Sequence, residues 1–106
     1  MGFFSDLFKS PNTLPLLTDD EIRMVASFFE KGWAGETRRW GGLPQSGMDA
    51  IDDVSIAKGV KKRSLTTEDM TKVITLLETY LRLNGDDPEL KEIIRKLKLC
   101  RNRMTT

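Results

Sequence analysis

The sequence predicts an all-α fold, a compact bundle of about four to five helices ending in an antiparallel helical hairpin. Two segments open with the same helix cap, apolar residues recur at three- and four-residue intervals, and Asn84-Gly85-Asp86-Asp87-Pro88 sets a stop and a start almost back to back. The 106 residues, 39% hydrophobic and 31% charged, suit a single folded domain spanning 1–106.

The N-terminal stretch 1–16 reads as a short amphipathic segment followed by a Pro-containing linker. Phe3, Phe4, Leu7 and Phe8 share one side of a helix over Met1 to Lys9, and Pro11 and Pro15 keep the next residues extended. Docking on the domain's own core is the commoner use of such a segment, and Phe3, Phe4 and Phe8 are also candidates for a partner's groove. A membrane surface is disfavoured, because the segment carries one cation. A myristoylation signal is not supported either, since Asp6 stands where Ser or Thr is wanted.

Leu17-Thr18-Asp19-Asp20-Glu21-Ile22 contains a capping box: the Thr18 hydroxyl can accept from the Glu21 amide while the Glu21 carboxylate reaches back, and Leu17 and Ile22 staple the entry. The helix it starts is expected from about Asp19 to Trp33, with Ile22, Val25, Ala26, Phe29 and Trp33 as its stripe and Met24 and Phe28 widening it. Leu65-Thr66-Thr67-Glu68-Asp69-Met70 repeats the opening, although the shorter Asp69 serves the helix dipole rather than a full box. This second helix, about Thr67 to Leu83, carries Met70, Val73, Ile74, Leu77 and Leu81, extended by Leu76, Tyr80 and Leu83, and should be central. Aligned identities are too few to separate a duplicated unit from two helices with one good cap.

Between them, Gly32 to Gly47 is glycine-dense and contains Trp33-Ala34-Gly35-Glu36-Thr37-Arg38-Arg39-Trp40, read as a loop with a short helical turn at Thr37–Trp40. Arginine and tryptophan are the residue types most favoured in binding hot spots, so Arg38, Arg39 and Trp40 are partner-binding candidates. In the alternative arrangement Trp33 closes the core, Trp40 folds over it, and Glu36 pairs the arginines. A short helix from about Gly47 to Lys58 follows, capped by Ser46 and closed by Gly59. Its Asp49, Asp52 and Asp53 suit a helix N-terminus and lack the loop pattern of a cation site.

The last helix, about Pro88 to Arg103, places Leu90, Ile93, Ile94, Leu97, Cys100 and Met104 on one side, and its short connection predicts the hairpin. Leu99 points away from that stripe among basic side chains and is a further partner-binding candidate.

Charge is unevenly spread. Residues 1–53 hold 5 Lys/Arg against 9 Asp/Glu, a net of −4; residues 54–106 hold 12 against 7, a net of +5. The halves should attract each other, and a solvated or mutually facing arrangement is the ordinary outcome. Lys61, Lys62, Arg63, Lys91, Arg95 and Lys98 are the residues a nucleic acid would use.

No histidine occurs, which removes the usual general base, Ser-His and Cys-His nucleophile pairs and most zinc sites. No cofactor, metal or small-molecule substrate is expected, and Cys100 reads as a small core residue. The single cysteine, the lack of a long apolar run and the lack of a secretory pattern make a cytoplasm the default location, and chains of this size and simplicity often come from bacteria or their mobile elements. The expected role is non-catalytic: binding another protein or a second copy of the chain, with nucleic-acid binding as the alternative.

Overall fold

A computed structural model describes residues 12–43 and 52–105 of the chain. The described residues form five helices and no strand: α1 (Asp19–Glu30), α2 (Trp33–Gly41), α3 (Asp53–Lys61), α4 (Thr67–Asn84) and α5 (Pro88–Thr105).

Both threonine caps are in place. Thr18 accepts from the Glu21 amide at 3.2 Å while the Glu21 carboxylate accepts from the Thr18 amide at 2.9 Å, the full reciprocal box. Thr66 accepts from the Asp69 amide at 3.0 Å with no return bond, as the shorter acid implied. The residues flanking each cap, Leu17 with Ile22 and Leu65 with Met70, are all buried in the core. Gly85 ends α4 with φ 87°, and the Asp87 carboxylate accepts from the Glu89 and Leu90 amides to start α5 with Pro88 as its first residue.

The α4–α5 connection makes the expected antiparallel hairpin. Lys98 reaches Glu78 and Arg101 reaches Thr71, so positions rise along one helix as they fall along the other. α4 is central: it packs α5 on one side and α2 on another, while α1 packs on α3 and α2. Val73, Ile74, Leu76 and Leu77 of α4 are all buried, which needs neighbours over a wide arc. Burying four such side chains contributes on the order of 6–12 kcal/mol of hydrophobic free energy before conformational entropy is counted. From α5, Leu90, Ile93, Ile94, Leu97 and Cys100 complete the core, and Cys100 is a free, buried thiol.

Several expectations need correcting. α1 stops at Glu30, because the chain turns at Gly32 (φ 84°), which closes α1 and stands as the N-cap residue of α2. Trp33 therefore leaves the α1 stripe and is 42% exposed instead of closing the core. Within the segment read as a loop, Trp33–Gly41 is a helix, α2, and residues 44–47 lie outside the described residues. The described helix α3 is capped by Asp52, which accepts from the Val54 and Ser55 amides, while Gly59 lies inside α3 and does not end it. A Cβ on Gly59 would come within 2.6 Å of Leu65, so the residue serves close packing. Leu83 and Met104, assigned to stripes, are 45% and 40% exposed. Ser46, Asp49 and the expected N-terminal helix with Phe3, Phe4, Leu7 and Phe8 lie outside the described residues.

Candidate interaction groove

α2 carries Trp33, Glu36, Thr37 and Trp40 at spacings of three, one and three, which puts all four on one side of the helix. That side opens onto the C-terminal half of α4. Trp33, Glu36, Thr37 and Trp40 from α2 and Tyr80, Leu83 and Asn84 from α4 line a surface groove of about 390 Å³. Trp40 is 75% exposed, and Trp33 and Leu83 are each more than two-fifths exposed.

The walls are held from below. A Cβ on Gly41 would lie 2.5 Å from the Thr79 methyl, so α2 ends against α4 at a separation only glycine permits. Arg38, on the far side of α2 from the indoles, donates to both carboxylate oxygens of Asp53 on α3 at 2.9 and 3.0 Å. Its side chain is 9% exposed, and its Nε is buried with no hydrogen-bond partner among the described residues. A run of ring contacts joins the groove to the core: Phe29 meets Phe28 edge-on, Phe28 meets Tyr80 edge-on at 5.2 Å, and Tyr80 stacks with Trp33 at 6.3 Å and 20°. Beyond the Trp33–Tyr80 pair lies a second hollow of about 240 Å³ lined by Met24, Phe28, Leu77 and Leu90 among others.

Among the described residues, the groove's only charged lining residue is Glu36. The Lys31 ammonium stands 5.6 Å from the Trp33 ring centre, a cation–π contact.

Of the partner-binding candidates, Trp40 is at the groove and open to a partner. Arg38 is not available, being spent on the latch to Asp53. Arg39 is exposed but outside the lining, and Leu99 is 41% exposed on α5, away from it. Phe3, Phe4 and Phe8 fall outside the described residues. Trp33, Tyr80, Leu83 and Glu36 belong to the site although the sequence reading gave the first three to the core and the fourth to the arginines; the three- and four-residue spacing of Trp33, Glu36, Thr37 and Trp40 was the available signal.

The nucleic-acid candidates are mostly occupied. Lys61 pairs with Glu30 at 2.8 Å, Lys91 with Asp86 at 3.1 Å and Lys98 with Glu78 at 3.0 Å; Arg95 pairs with Glu92, and Lys62 is exposed. Arg63 sits at the left-handed position of the turn that ends α3, with φ 56°, its amide donating to the Val60 carbonyl and that of Ser64 to Gly59. Glycine usually fills that position. Here the side chain compensates, donating to the carbonyls of Leu14 and Leu17 at 3.1 and 2.7 Å and to the Asp19 carboxylate. The Arg63 carbonyl accepts from the Thr13 amide, and the Thr13 hydroxyl accepts from the Leu65 amide, so the entry to α1 is fastened to the α3–α4 corner.

Arg63→Ala is expected to lower unfolding free energy by about 2 kcal/mol, since the charge-assisted bonds go while the left-handed backbone stays. Arg63→Gly should cost about 1 kcal/mol less than Arg63→Ala, because glycine relieves that backbone. Urea denaturation of both variants measures the order.

Among the described residues no group of three or more Asp, Glu or Cys could hold a metal ion, and no helix is long and apolar enough to cross a membrane. No family model, curated protein or solved structure matches the chain.

Proposed function

We propose that the chain is a non-catalytic module that binds another protein through the groove between α2 and α4. The observation that carries this reading is Trp40, three-quarters exposed beside Trp33, Leu83 and Tyr80 in one concave lining. A tryptophan offers about 150–250 Å² of burial, more than any other single side chain brings to an interface, and aromatic residues dominate the energetics of interface centres. The edge-on contact of Phe28 with Tyr80 and the stacking of Tyr80 with Trp33 hold both groove rings in position before any partner arrives, which reduces the ordering cost of binding.

The reading keeps the chain without enzymatic chemistry, on the absence of histidine from the sequence. It places the chain in the cytoplasm, on the lone buried cysteine and the lack of a long apolar run. Nucleic-acid binding loses support because five of its six candidate side chains already face a carboxylate.

Affinity capture from the native host tests it with three baits: the wild type, Trp40→Ala and Leu99→Ala. The expected result is a protein recovered with the wild type and Leu99→Ala but not with Trp40→Ala, and that protein, purified, should shift wild-type tryptophan emission. Recovery with all three baits removes the groove from the reading. Light scattering decides whether the partner is a second copy: a mass of twice 12.1 kDa that returns to 12.1 kDa in Trp40→Ala would show it.

A further inference from the structure

We infer that the groove reads a cationic side chain of its protein partner, an arginine guanidinium laid on the indoles and paired with Glu36; this deepens the binding role just proposed and depends on it. Among the described residues the lining combines three aromatic rings with one carboxylate and contains no lysine or arginine. Glu36 stands three residues after Trp33 and four before Trp40, hence between the two indoles along α2, and it is exposed with no ion pair among the described residues. A wholly apolar partner side chain seated there would desolvate that carboxylate with nothing in return, an unfavourable exchange.

The Lys31 ammonium already stands over the Trp33 ring, so Trp40, three-quarters exposed, is the indole open to a partner's cation. One further feature favours positive charge. Leu83 and Asn84 of the lining are the last residues of α4, where the helix dipole presents its negative end. Near that end the Leu81 carbonyl accepts from the Gly85 amide and the Tyr80 carbonyl from the Asn84 side chain.

Guanidinium fits this arrangement better than ammonium. Its flat face stacks on an indole while its edge donates two parallel hydrogen bonds to a carboxylate, whereas a lysine ammonium is a compact, strongly hydrated charge that cannot do both in one plane. Arginine is also the charged residue most enriched at interface centres.

The chain has two tryptophans, both in this groove, so its two indole N–H signals in a ¹⁵N-correlation spectrum report the site directly. Three probes are titrated: Nα-acetyl-arginine amide, Nα-acetyl-lysine amide and the neutral Nα-acetyl-citrulline amide. Saturable shifts of both signals are expected with the arginine probe in the millimolar range, with the citrulline probe about five-fold weaker. Glu36→Gln should bring the arginine probe down to the citrulline level and leave citrulline unchanged. Both Glu36 and Trp40 are exposed, so Glu36→Gln and Trp40→Ala should keep the wild-type amide spectrum elsewhere.

Citrulline binding as tightly as arginine, lost in Trp40→Ala, overturns the inference while leaving the groove a binding surface. Lysine amide binding as tightly as arginine amide overturns the choice of guanidinium. No saturable shift with any probe overturns the inference as well, and the capture experiment then decides the protein-binding reading on its own.

Discussion

Asp53→Ala is expected to lower the unfolding free energy by about 3 kcal/mol, seen as a lower urea midpoint at unchanged slope. The substitution strands the Arg38 guanidinium, whose side chain is 9% exposed and whose Nε already has no acceptor among the described residues. Removing one member of a buried pair commonly costs 3–5 kcal/mol; Asp53 is 28% exposed, so water can reach the site and the lower end applies. For a domain of this size about 3 kcal/mol corresponds to a fall of roughly 12–20 °C in melting temperature. Arg38→Met in the same background should recover part of the loss, because it removes the unpaired charge and keeps most of the buried volume. A further loss in the double variant would show that the pair is not what latches α2 to α3.

Glu21→Ala ranks second, at about 2–4 kcal/mol. One carboxylate oxygen accepts from both the Thr18 amide and the Lys96 ammonium, each within 2.9 Å, and the Glu21 and Lys96 side chains are only 10% and 19% exposed. The residue thus closes the α1 cap and ties α1 to α5 across 75 positions of sequence. Burial pushes its carboxyl up, but the bonds from Lys96 and from Thr18 outweigh it and hold the group below its usual 4.5. The folded state therefore binds this proton less readily than the unfolded chain. Its stabilising contribution is complete above pH 4.5 and is lost as pH falls through the lower folded value. Glu21→Gln isolates the charge: its stability gap from the wild type should be full at neutral pH and close on acidification, whereas a pH-independent gap would refute the assignment. Glu92 is likewise held down by the bond from Arg95, but both side chains are well exposed and their pair contributes little.

What could be read from the sequence divides by range. The caps at Thr18 and Thr66, the Gly85 stop and the Pro88 start depend on residues two to four apart, and all were legible. So were the core faces of α4 and α5, since periodicity alone fixes which side of a helix is apolar. The extent of α1 was not legible, because the apolar stripe runs on to Trp33 and periodicity carries no mark of a change of direction at Gly32. α2 was hidden by its own composition. Gly35 and Gly41 lower helix propensity, yet one meets open space and the other permits the approach to Thr79, a contact made across tertiary structure.

The candidate site was half visible for the same reason. Trp40 stood out by residue type, but its setting depends on Tyr80 and Leu83 from another helix. Arg38 stood out equally but is buried in a pair with Asp53, which is 15 residues away with no local pattern connecting them. The charge imbalance between the halves did forecast something real: Asp19, Glu21 and Glu30 from the first half meet Arg63, Lys96 and Lys61 from the second.

The fastening of residues 13–19 to Arg63 has a consequence for how the chain is made. The hydrogen bonds there join positions 44 to 52 residues apart, so closing them requires the loss of a long loop's freedom. On a ribosome, Thr18 and Glu21 can cap α1 soon after they emerge, but the approach to that helix has no anchor until Arg63 and Leu65 have followed it out. The start of the described chain is therefore secured by its middle, and a nascent chain halted before Arg63 would carry α1 on an unfastened lead.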